Sequence, residues 1–135
     1  MQKMIVAVCA VLMVSNVAEA CQGITFQGNS GTTYCLSRQS MNWYSAYTWC
    51  QAQNMALIDI GVLCNSIKGL CAELNLSDTT KEYIVNNGGT LGEVWSNTSL
   101  SVTNIYSVSL ANGQGWDGYY QRVPSRTARH YALCK

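Results

Sequence analysis

The sequence is poor in the residues that most often carry chemistry. It holds one histidine (His130), one proline (Pro124) and one phenylalanine, and charged residues make up only 11% of it. One histidine and no C-x-x-C pair leave no donor set for a structural zinc. The acids after residue 20 are Asp59, Glu73, Asp78, Glu82, Glu93 and Asp117, which form no cluster in sequence. That is too sparse for the several hard oxygens calcium needs, so no metal and no cofactor is expected. A formal net charge of +1 gives no phosphate-binding track, so a nucleic-acid partner is not expected either. Apolar runs are short: Met4–Val14 is the longest, below the length that spans a bilayer, and no membrane span is expected. His130 has no nucleophile near it in sequence, and neither Ser96 nor Ser107 sits in a G-x-S-x-G elbow. An enzyme is therefore not the expectation.

What is present first is cysteine. Residues 1–20 read as a signal peptide, with Lys3 before the apolar run and Ala18-Glu19-Ala20 as an A-x-A cleavage site. Cys21 follows that site, but Glu19 stands where a lipobox takes a small or β-branched residue, so secretion rather than lipid attachment is expected. The expected location is secreted, periplasmic or cell-surface. Cys9 leaves with the leader, and residues 21–135 make one domain with Cys21, Cys35, Cys50, Cys64, Cys71 and Cys134. An even cysteine count in a small secreted domain reads as a disulfide framework, for which about 15 connectivities are open.

Local chemistry narrows these. Cys21 and Cys35 flank a segment with Gly28-Asn29-Ser30-Gly31 at its middle, a hairpin that a Cys21–Cys35 bridge would close. Cys64 and Cys71 in one unbroken helix would stand about 10.5 Å apart, beyond the ~7 Å reach of a disulfide. Gly69 between them can break the helix, so a short helix from about Ile60, a break at 68–70 and a Cys64–Cys71 clamp are expected. Trp43, Ala46, Tyr47 and Cys50 fall on one helical face, with Ser40 or Asn42 available as cap. Met55–Ile58 then reads as a buried strand. Beyond Asn75 the pattern is polar and β-rich. Loops are expected at 86–89 and 111–114, and strands at 93–96, 104–110, 115–122 and 129–134.

The run Trp43, Ala46, Cys50, Asn54 and Leu57 resembles the W-x-x-A-x-x-x-C-x-x-x-G/N-x-x-L helix and strand of C-type lectin-like domains. Trp95-Ser96-Asn97-Thr98, Ile105–Leu110, Asn112-Gly113 and Tyr131-Ala132-Leu133-Cys134 are similar to the second half of its secreted bacterial branch, which includes the variable proteins of diversity-generating retroelements. The likeness covers about residues 33–134. It implies an α+β C-type lectin-like fold, with two helices packed on twisted antiparallel sheets, and a Cys50–Cys134 bridge. The Trp-Ile-Gly-Leu strand of animal lectins is missing. So are the family's calcium tripeptides: Pro124 has no acid beside it, and Trp116-Asp117-Gly118 lacks the Asn.

Binding chemistry gathers at 115–130. Trp116, Tyr119, Tyr120, Arg122, Arg126, Arg129 and His130 stand there against the single acid Asp117. Trp, Tyr and Arg are the side chains that anchor interfaces. The family presents ligands just before its last strand, and retroelement variation would yield similar residue types at 116–130. The expectation is a calcium-independent binding module for an extracellular glycan or protein. The alternative is a self-associating subunit of a cell-surface appendage.

Overall fold

The protein is described by a computed structural model, in residues 21–60, 71–99, 105–111, 120–123 and 128–135. The first described elements form a hairpin, β1 (Ile24–Gln27) and β2 (Thr33–Met41), turning through Gly28–Thr32. Gly31 sits at φ +90°, a conformation that glycine supplies without strain. The Cys21–Cys35 bridge closes this hairpin as expected.

Helix α1 (Trp43–Gln51) follows at once. Asn42, not Ser40, caps it, its side-chain oxygen accepting from Ser45 N–H at 2.8 Å. The helix stops by a left-handed turn. Asn54 sits at φ +60°, Met55 N–H donates to Cys50 C=O, and Asn54 N–H donates to Gln51 C=O. Only glycine or asparagine takes that position cheaply. The chain then runs beside the last strand: Leu57 bridges Cys134, Ala56 and Lys135 exchange backbone hydrogen bonds, and Ile58 N–H donates to Leu133 C=O. The strand expected at 55–58 is thus a single bridge with flanking bonds.

Ile60 is helical, as a helix starting there requires, but the rest of that expected helix, its break and Cys64 lie outside the described residues. Cys71 is disulfide-bonded. A 3-10 turn (Ala72–Leu74) leads to α2 (Asp78–Asn86), a helix where polar β structure was expected. Ser77 caps it through Thr80 N–H. It ends at Gly88 (φ +86°) and Gly89, whose amides return to Val85 and Ile84. The loop expected at 86–89 is this helix stop.

The remaining strands are β3 (Glu93–Ser99), β4 (Ile105–Ser109), β5 (Tyr120–Val123) and β6 (His130–Cys134). Of the turn expected at 111–114, Ala111 is a turn residue and the rest lies outside the described residues. The described strands form one six-stranded sheet in the order β1-β2-β6-β3-β4-β5. The α+β expectation holds: the described residues contain helices α1 and α2, a sheet, and the bridges Cys21–Cys35 and Cys50–Cys134. The sheet is mixed rather than wholly antiparallel, because β6 inserts between β2 and β3 and runs parallel to β3.

Alternate residues along a strand face opposite sides, and each side of this sheet has its own core. Ala46 and Cys50 of α1 pack with Cys35, Trp95, Ala132 and Cys134 on one side. Leu74 and Ile84 pack with Tyr34, Leu36, Val94 and Leu133 on the other. Coverage of both faces explains why Tyr34–Ser37 is buried without alternation.

Candidate functional site

The segment singled out for binding is described only at its edges. Trp116, Tyr119 and Arg126 lie outside the described residues. Tyr120 and Arg122 are on β5, in register with Val108 and Tyr106 of β4. Arg129 immediately precedes β6 and His130 opens it. Two strands, β3 and β4, separate β5 from β6, so Tyr120 and Arg122 are not strand neighbours of Arg129 and His130.

Backbone register decides what surrounds His130. The parallel pairing of Val94 with Tyr131 brings Glu93 beside His130. His130 Nδ1 is 3.7 Å from Glu93 Oε1, an ionic separation rather than a hydrogen bond. Glu93 Oε1 also accepts from Ser107 Oγ at 2.8 Å. The imidazole meets the Trp95 ring edge-on, centroids 4.9 Å apart. Trp95 is itself fixed, its indole N–H donating to Met41 C=O at 2.8 Å. Burial lowers the His130 pKa, and the Glu93 carboxylate opposes that only in part, so the ring is neutral at pH 7. A neutral imidazole both donates and accepts. The contacts do not have the order of an activated serine: Ser107 is fully buried and its hydroxyl donates to the carboxylate, not to the imidazole.

Arg129 is exposed, but its guanidinium turns back onto β2, donating from Nη2 to Ser40 C=O at 2.6 Å. It thereby ties the entry of β6 to the end of β2. Just there β2 bulges. Between the pairs Leu36–Leu133 and Ser40–Tyr131, three β2 residues oppose one β6 residue. Buried Ser37 repairs the ladder, its hydroxyl oxygen accepting from Ala132 N–H at 2.9 Å. A matching irregularity in β3 is held by Ser96, whose hydroxyl donates to Tyr106 C=O at 2.8 Å. These serines keep the polar row on a rigid frame.

Sequence reasoning missed the pairing of Glu93 with His130. Its one signal was the periodicity of the two strands, which fixes faces but not which strand lies beside which. Among the described residues no group of three His, Cys, Asp or Glu converges as a metal site. Among them, too, no helix is long and apolar enough to cross a membrane. No family model matches this chain, and neither a curated protein nor a solved structure matches it.

Proposed function

We propose that this protein is a secreted, C-type lectin-like binding module that recognises an extracellular glycan or protein without calcium, through the face formed by residues 115–130. The observation that carries this reading is the partly exposed pair of His130 on β6 and Glu93 on β3, backed by the buried Trp95 ring. His130 is the last residue of that segment, and Tyr120 and Arg122 lie within it on β5. A neutral imidazole and a carboxylate side by side on a rigid sheet suit hydrogen bonding to a neutral polar ligand. Support for the lectin-like fold comes from the Trp43–Leu57 motif, the Cys50–Cys134 bridge to the last strand, and β2 and β6 lying side by side. Support for secretion comes from the leader pattern and from disulfides, which persist in oxidising compartments.

A glycan array probed with the oxidised protein, with calcium and again with chelator, tests the reading. Binding that survives chelation and falls about tenfold in His130→Ala or Trp116→Ala supports it. Binding abolished by chelator, or unchanged in both variants, overturns it. An empty array together with concentration-dependent self-association favours the appendage subunit.

A further inference from the structure

Helix α1 carries more aromatic surface than its packing uses. It buries Ala46 and Cys50, and Trp43 and Trp49 are half-buried against the same core. Tyr44 and Tyr47, by contrast, are 56% and 40% exposed. Both tyrosines are organised around one indole. Tyr47 stacks on Trp43 with centroids 5.3 Å apart at 27°, and Tyr44 meets it edge-on at 5.5 Å and 83°. Trp43 is held in turn by its N–H, which donates to Ser96 C=O at 2.9 Å. The helix beneath is bonded to β6 through Cys50–Cys134. Rings held this way have little rotamer freedom left to lose when a ligand arrives.

Charge selects the occupant. No charged residue occurs from Asn42 to Ile58. Around the rings the helix exposes Ser45, Thr48 and Gln51, which carry hydroxyl and amide groups. An ionic ligand meets no counter-charge on this helix, and a protein partner no ion-pairing rim. A neutral sugar ring matches on both counts. Its C–H face is electropositive and seats on an electron-rich aromatic face, while its hydroxyls bond to neutral donors and acceptors. We infer that the Trp43–Tyr44–Tyr47 surface of α1 binds a neutral polysaccharide by ring stacking. It uses none of residues 115–130 and stands independently of the site assigned there.

Co-sedimentation of the oxidised protein with cellulose and with chitin, with heparin beads as the anionic control, tests this. The expected result is retention on a neutral polysaccharide that persists at high salt, falls about tenfold in Tyr44→Ala/Tyr47→Ala, and is kept by Tyr44→Phe/Tyr47→Phe. Thermal melting of the variants establishes that they are folded. His130→Ala, which lowers array binding about tenfold if residues 115–130 form the proposed site, leaves this retention unchanged. Failure of the unmodified protein to bind either neutral polysaccharide overturns the inference, as does full retention in the double alanine variant. So does a dimer that the double alanine variant abolishes, which would make a second copy the occupant.

Discussion

The two faces of the sheet are fastened by different means. On the α1 face the helix is bonded covalently to the last strand by Cys50–Cys134, and its cap and stop come from residues within or next to the motif. On the α2 face the connection to the hairpin is polar. Glu73 accepts from Ser30 N–H at 2.6 Å, Ser30 Oγ at 2.7 Å and Tyr34 OH at 2.8 Å. Asn29 completes the clasp by donating to the carbonyls of Ala72 and Asn75. Gly28 belongs to it as well, since a Cβ there would stand 2.4 Å from the Glu73 carboxylate. The Cys50–Cys134 link is indifferent to acid but open to reductant, and the Glu73 clasp is the reverse.

Reduction is the strongest way to break that contrast. The Cys50–Cys134 bridge closes an 84-residue separation, so its removal in Cys50→Ala/Cys134→Ala is expected to cost about 4–5 kcal/mol in the chain-entropy description. Loss of Cys21–Cys35, which spans 14, is expected to cost about 3 kcal/mol. Urea unfolding of the two double variants measures both. Equal costs would mean that loop length does not govern these bridges.

Acid attacks the other face. Burial raises the Glu73 pKa, but the bonds from Ser30 and Tyr34 and the charge of Lys135 outweigh it, leaving the carboxyl below its ordinary 4.5. The unfolded chain therefore takes up that proton first. The stability Glu73 provides is complete above pH 4.5 and is lost as pH falls through its lower folded value. Glu73→Gln is expected to cost about 2 kcal/mol near neutrality, because the site is mostly solvated and its hydrogen bonds are worth less than buried ones. It should also flatten the melting temperature below pH 4.5. His130 acts in the same sense in a higher window. Burial depresses its pKa, so its contribution is lost as pH falls below 6.5, and His130→Asn removes that part alone. A third break is smaller. Ser37→Ala leaves the buried Ala132 N–H without its side-chain acceptor and is expected to cost about 1–2 kcal/mol by urea unfolding.

The same contrast explains what the sequence made legible. The α1 side was readable because its chemistry is local: a capping asparagine, apolar spacing, an asparagine stop, and a cysteine in a recognisable motif. The hairpin was readable from Gly28-Asn29-Ser30-Gly31 for the same reason. Helix α2 was not, since Ile84 is its one buried residue and no 3.6-residue stripe marks it. Its signals were Ser77-Asp78 at the start and Gly88-Gly89 at the end, which also describe a polar loop. Glu73 could not be placed because its partners lie 39–43 residues away, and Glu93 because it meets His130 only through a parallel pairing. Tyr47 shows the limit of periodicity itself. The spacing puts it on the buried face with Ala46 and Cys50, yet it is exposed, because Trp43 fills the space one turn below and Tyr47 stacks on it instead.

That tyrosine gives the finest comparison between the faces, against Tyr83 of α2, which is 49% exposed. Exposed substitutions shift stability by about 0.5 kcal/mol or less, and Tyr83→Ser is expected to stay within that limit. Tyr47→Ser should cost about 0.5 kcal/mol more, the worth of a stacked aromatic pair at a solvated site. Near-UV circular dichroism separates the two directly. Loss of the ring on Trp43 changes the indole signal, whereas Tyr83→Ser leaves it as it was. Identical spectra for Tyr47→Ser and the unmodified protein would mean that Trp43 is ordered without Tyr47. The preorganised stack on α1 would then reduce to one anchored indole beside two freely moving rings.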